Sequence, residues 1–153
     1  MLAFELKFPP VVQVIVAANL MWVLALALPS LSFRFPVQTP VAVVLSAVGI
    51  TIAVLGVIRF RLTGTTVDPR VPDQSASLVA GGVYRLSRNP MYLGFFLVLS
   101  AWALGLGNVA SFLILPLFVV CMNRLQIAPE ERQLHKLFGE TYCEYTSNVR
   151  RWI

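Results

Sequence analysis

From Asn89 to Asn123 the chain carries no charged side chain. A bilayer-crossing helix needs only about 20 consecutive apolar residues, so this run is too long for one crossing. A break sits near its middle, at Gly105-Leu-Gly-Asn108. The pattern predicts a hairpin of two short membrane helices over about 90–105 and 108–125, centred on Met91–Leu104 and Val109–Met122. Helices this short are expected to tilt against their neighbours or to thin the bilayer locally. Pro116 is expected to kink the second of them.

Two further apolar runs precede the hairpin. One covers about 9–28 and is closed by Pro29-Ser30; the other covers 40–58 and ends at Arg59. Composition agrees: 58% of residues are hydrophobic and 12% charged, against roughly 45–50% and about 25% in soluble domains. The expected fold class is an all-α membrane protein. It has about four transmembrane helices, the last two a short hairpin, plus a C-terminal cytoplasmic helix and tail, all in one domain over 1–153. Ala25-Leu-Ala27 faintly resembles a signal-peptidase site, but the run before it is long for a signal core and the chain beyond it is also membranous. The first run is read as a retained span.

Four crossings place Lys7, the 59–90 loop and the C-terminal segment on one side. Every Lys and Arg except Arg34 then falls there, as do all the acidic residues. The positive-inside rule makes that side the cytoplasm, with both termini in it; three crossings would send the C-terminal cluster the wrong way. A bacterial inner membrane is the expected location. The net charge of +5 would suggest nucleic acid in a soluble chain. Here the basic residues flank apolar runs, so membrane lipid headgroups are the expected partner and nucleic acid is not. Thr63–Thr66 and Asp68–Arg70 read as turns, and Gln74–Val79 as a short interfacial segment. Cys121 and Cys143 show no disulfide spacing, and no metal-ligand cluster accompanies His135.

Two constellations carry potential chemistry. In the segment 78–94, Gly81-Gly82 expose backbone, Tyr84 follows, and Arg85 and Arg88 precede a helix start at Asn89-Pro90, with Tyr92 and Gly94 in its first turn. An arginine at such a start can hold a carboxylate or phosphate in a forked geometry, beside helix N–H groups that also favour an anion. On composition alone, arginines that merely anchor the span are the stronger reading. In the segment 128–153, Pro129 fits a first helical turn, followed by Glu130-Glu131. The acidic pair could bind hydroxyls or an ammonium; taken alone, plain helix-end electrostatics is the stronger reading. Leu134, Leu137 and Phe138 recur at helical spacing, Gly139 is a stop, and Tyr142 and Tyr145 continue the apolar face. Arg150-Arg151-Trp152 suits a headgroup interface. Gly105-Leu-Gly-Asn-Val-Ala110 fits a dinucleotide fingerprint, but between membrane helices it has no βαβ context.

Leu78-Val-Ala-Gly-Gly-Val-Tyr-Arg-Leu-Ser-Arg-Asn-Pro-Met-Tyr-Leu-Gly94 and Pro129-Glu-Glu-Arg-Gln-Leu-His-Lys-Leu-Phe-Gly-Glu-Thr-Tyr-Cys-Glu-Tyr145 resemble two blocks of the isoprenylcysteine carboxyl methyltransferases and their bacterial relatives. The phospholipid N-methyltransferases share the Asn-Pro-Met-Tyr-x-Gly core and the Glu-Glu pair. The resemblance covers roughly Thr65 to the C-terminus. It implies S-adenosylmethionine as cofactor, bound on the cytoplasmic side without a Rossmann domain, and a lipid-like acceptor entering sideways from the bilayer. It implies catalytic roles for Arg88 and Tyr92. It also implies cofactor contacts from Gly82, Tyr84, Asn89, Pro90, Glu130, Glu131, Leu134 and Tyr142. Asn89-Pro90 stands where the prenylcysteine enzymes usually have His-Pro, and Val149-Arg150 where they have Val-Pro. The first departure moves the chain toward the phospholipid and uncharacterised bacterial branches.

The rival readings are a small membrane transporter and a non-catalytic adaptor. Coupled transport needs a strongly polar group at membrane depth, and the spans offer only Gln13, Asn19 and small hydroxyls. An adaptor would bind no cofactor and would co-purify with a partner.

Overall fold

The structure, a computed structural model, describes residues 9–62 and 78–153. Lys7 and the turns and most of the interfacial segment expected over 63–77 lie outside the described residues.

Among those residues the chain is helical, running α1 (Pro10–Ala27), α2 (Gln38–Leu62), α3 (Pro90–Leu106), α4 (Ile114–Met122) and α5 (Ala128–Asn148). Pro10 and Pro90 open α1 and α3 at positions where a missing N–H costs nothing and the ring fixes a helical φ. The second span outruns its expected limit at Ile58. Arg59 and Arg61 continue the helix into its last turn, where cations complement the helix dipole. α3 stops at Gly107, whose left-handed φ of 61° ends the helix. Asn108 then caps the 3₁₀ turn Val109–Leu113, its side chain accepting from the Ala110 N–H at 2.9 Å.

The last membrane helix and the C-terminal helix form one continuous helical stretch from Val109 to Asn148. Between α4 and α5 lies a π turn, Asn123–Ile127. Pro129 supplies the physical reason: it has no N–H for the carbonyl four residues back, and its ring crowds that carbonyl, so the preceding turn widens. The expected stop at Gly139 takes the form of a sharp kink, with φ 49° and ψ −121° inside α5.

Among the described residues, three helical stretches are long and apolar enough to cross a membrane: α1, α2 and Val109–Asn148. α3, at 17 residues, stands at the lower limit for a crossing helix, about 17 residues. Val11, Ile15, Val16, Val43, Val44 and Leu117 all turn outward, as a lipid-facing surface requires. The chain is an all-α integral membrane protein.

The core is centred on Met21, Leu99, Ala103, Phe118, Met122 and Ile127. α2 and α3 approach through small residues. A Cβ on Gly94 would lie 2.5 Å from the Gly49 carbonyl oxygen and 2.7 Å from the Ala53 Cβ. Gly56, one turn on, faces Met91 and Pro90. Small residues four and three apart let membrane helices touch backbone to backbone.

One end of the bundle is stitched by backbone-directed polar groups. The Phe33 N–H donates to the Gly107 carbonyl at 2.7 Å, Asn108 Nδ2 to the Leu28 carbonyl at 2.7 Å, and Gln38 Nε2 to the Leu104 carbonyl at 2.7 Å. The glycine-containing sequence 105–110 is therefore a structural turn. The opposite end, where α2 finishes and α3 begins, holds the residues of chemical interest.

Candidate active site

The segment before α3 is built around Gly82. Its φ is +62°, and a Cβ there would lie 2.6 Å from Nε of Arg59, whose side chain crosses it from the end of α2. The 3₁₀ turn Gly82–Arg85 that follows buries Tyr84, and the Tyr145 hydroxyl donates to the Tyr84 carbonyl at 2.7 Å. Ser87 Oγ accepts from the Asn89 N–H at 3.1 Å, a local side-chain-to-backbone turn just before α3. Pro90, buried in the first turn of α3, packs over Gly56.

The first turn of α5 meets this segment from across the sequence. The Tyr92 hydroxyl donates to Oε1 of Glu130 at 2.6 Å. Oε1 of Glu131 lies 3.2 Å from Nη1 of Arg88 and accepts from Nε of Arg151 at 3.0 Å, while its Oε2 takes Nη2 of the same arginine. Arg151 thus forks Glu131 from the C-terminal tail. The tail is held by its backbone as well: the Arg88 N–H donates to the Arg150 carbonyl at 3.0 Å, and Asn89 Nδ2 to the Arg151 carbonyl at 3.0 Å. Trp152 Nε1 donates to Asn123 Oδ1 at 3.1 Å, and its ring packs edge-on against Phe96.

Arg88, Tyr92, Glu130, Glu131, Tyr84 and Tyr142 therefore converge at one end of the bundle. Tyr142 is buried and feels both Glu131 and Arg88. Leu134 sits half-buried one turn beyond Glu130. Asn89 donates its Nδ2 to the tail, and the Pro90 ring packs toward α2. Arg151 and Tyr145, whose sequence positions suggest an interface residue and an apolar-face residue, are neighbours of the site.

Electrostatics follow from burial. Glu130 lies beyond Arg124, where the uncharged run has ended. Desolvation pushes its carboxyl up to about 7; the Tyr92 hydrogen bond acts downward and the neighbouring Glu131 upward. Such a group exchanges its proton near neutral pH. Burial, then Tyr145 and Glu130, raise the Tyr84 hydroxyl. Burial pushes Tyr145 up to about 12 against the pull of Arg88, and also raises Tyr142. The hydrogen bond to Glu131 holds Arg151 more firmly protonated. Two buried polar atoms here have no hydrogen-bond partner among the described residues: Nε of Arg88 and the Tyr84 hydroxyl oxygen. Buried polar groups in native proteins are nearly always satisfied, so these two atoms are positioned to bond a ligand.

Residues 37–141 match the phospholipid methyltransferase family. An uncharacterized protein of Haemophilus influenzae is 44% identical over 63 residues, which is 41% of this chain and the whole of that protein. The protein-S-isoprenylcysteine O-methyltransferase of Schizosaccharomyces pombe is 38% identical over 76 residues, 47% of this chain but only 30% of that enzyme. The family match contains Arg88, Tyr92 and the acidic pair and stops short of Tyr142 and the tail. With the helical membrane bundle, this match establishes that the chain belongs to the phospholipid methyltransferase family of integral membrane methyltransferases.

Proposed function

We propose that this chain transfers a methyl group from S-adenosylmethionine to a lipid-like acceptor held in the bilayer, with the cofactor on the cytoplasmic side of a bacterial inner membrane. The observation that carries the reading is the meeting of Tyr92 with Glu130 and of Arg88 with Glu131, which brings two distant sequence blocks to one end of the bundle.

The residues fit the cofactor's chemistry. Its carboxylate suits Arg88, whose Nε is buried without a partner. Its ammonium or ribose hydroxyls suit the Glu130 carboxylate, which uses Oε1 on Tyr92. Tyr84 brings an unpartnered buried hydroxyl, and Tyr142 an aromatic wall. When bound, S-adenosylmethionine supplies a methyl group already activated by a sulfonium.

The chain's own work is then positioning and exclusion of water. Arg88 orients an anionic oxygen. Tyr92 fixes Glu130 through its short hydrogen bond. An amine acceptor must also give up a proton, whereas a carboxylate acceptor needs no base. The docked tail keeps water from the Arg88–Glu131 pair, where each charge gains strength from low polarity. The acceptor reaches the site between helices from the hydrocarbon. The one-sided distribution of basic residues supports cytoplasmic termini.

Transfer of labelled methyl from S-adenosylmethionine into a total lipid extract by the protein in detergent or lipid, followed by mass identification of the product, tests this directly. The expected result is saturable incorporation into a lipid-soluble product. No incorporation above that of an Arg88→Ala preparation would refute it.

A further inference from the structure

We propose that Arg151 is a positioning residue of this site: by forking Glu131 it sets the pose of Arg88. The inference rests on the methyl-transfer reading and assigns different tasks to the two glutamates.

Glu131 has little left to offer a ligand. Its Oε1 faces Nη1 of Arg88 and Nε of Arg151, and its Oε2 takes Nη2 of Arg151. The carboxylate is spent on two guanidinium groups. Glu130, which among the described residues is hydrogen-bonded through Oε1 to Tyr92, is the glutamate left to face a ligand. The Arg88–Glu131–Arg151 triad carries one net positive charge. Arg88 touches the shared carboxylate with a single nitrogen and keeps a buried Nε unpartnered. Remove Arg151, and both Glu131 oxygens become free for Arg88. A forked Arg88–Glu131 pair would then be neutral and would withdraw the Arg88 donors from the pocket.

The tail's docking does not depend on that fork. The Arg150 and Arg151 carbonyls receive the Arg88 N–H, Asn89 Nδ2 and, at 3.4 Å, Ser87 Oγ, and Trp152 is held by Asn123 and Phe96. Arg151→Ala therefore deletes the fork and leaves the strap in place. Arg151→Lys keeps the charge but not the planar fork.

The test measures S-adenosylhomocysteine binding calorimetrically, steady-state methyl transfer, and amide exchange of the Arg88 N–H, for wild type, Arg151→Ala, Arg151→Lys, Glu131→Gln and the Arg151→Ala/Glu131→Gln pair. Arg151→Ala is expected to weaken binding about tenfold and to raise KM for the cofactor similarly, roughly the share of one charge-assisted hydrogen bond. Its kcat should change less than its KM, and the Arg88 amide should stay protected. Arg151→Lys should restore only part of the loss, and the double variant should be no worse than Glu131→Gln. Binding by Arg151→Ala equal to wild type would overturn the proposal. Tighter binding would also overturn it, because Arg151 would then compete with the cofactor. Additive losses would overturn it too, since Arg151 would not act through Glu131. If Arg151→Ala does not fold, Arg151→Lys decides: unchanged binding refutes the role of the fork. Failure of the wild type to bind at all would refute the methyl-transfer reading itself, and this inference with it.

Discussion

Replacing Glu130 by Gln should change how the stability of the fold depends on pH. Burial raises the Glu130 carboxyl from an ordinary 4.5 to about 7. Between those values the folded chain holds a proton that the unfolded chain has released. The contribution is therefore complete below pH 4.5, shrinks as pH rises, and is gone above about pH 7. At 1.36 kcal/mol per pKa unit, the folded state loses about 3 kcal/mol across that window. For a chain of this size this corresponds to roughly 6–12 °C in Tm. Glu130→Gln keeps the shape and an oxygen for the Tyr92 hydroxyl but cannot ionise. Thermal unfolding in detergent from pH 4 to 8 gives the comparison, and taking the difference between the two proteins cancels the titration of the other carboxylates. The variant should match wild type near pH 4 and exceed it by several degrees near pH 8. Parallel curves would show that Glu130 is not desolvated and would refute the electrostatic argument.

Other substitutions separate the site from the scaffold. Arg88→Ala should lower turnover at least a hundredfold, because it removes the anion-orienting group and leaves Glu131 to Arg151 alone; wild-type rates would remove Arg88 from the site. Asn108→Ala, at the far end of the bundle, orphans the Leu28 carbonyl and the Ala110 N–H. It should cost about 3 kcal/mol by denaturant titration while leaving KM unchanged. Gly94→Ala forces a Cβ toward the Gly49 carbonyl and the Ala53 Cβ. It should destabilise by about 1–3 kcal/mol in the same assay, whereas Gly105→Ala, with open space around it, should not.

Hydropathy made much of the bundle legible, because uncharged runs bounded by proline and arginine have few alternatives. The kink at Gly139 and the turn at Gly107 were readable from glycine punctuation. The join at Asn123–Ile127 was not: Pro129 reads as a helix start, whereas here an existing helix widens before it and continues. The packing of α2 on α3 left only a faint trace, Gly49-x-x-x-Ala53-x-x-Gly56, easily lost in a run read for apolarity alone. At the candidate site, the two blocks carried Arg88, Tyr92 and the acidic pair. What sequence reading could not supply was the pairing. Nothing in Arg150-Arg151-Trp152 distinguishes an arginine that forks Glu131 from one that faces a headgroup. Nor does adjacency reveal that Glu130 is buried on Tyr92 while Glu131 is neutralised by two arginines.

On the function proposed above, two blocks distant in sequence make one pocket for S-adenosylmethionine. Calorimetric titration of S-adenosylhomocysteine into the protein in lipid nanodiscs tests it most directly, with Arg88→Ala as the comparison. One site per chain is expected for the wild type, and at least tenfold weaker binding for a variant that remains folded. Equal affinity in both proteins, or no heat of binding in either, would contradict it.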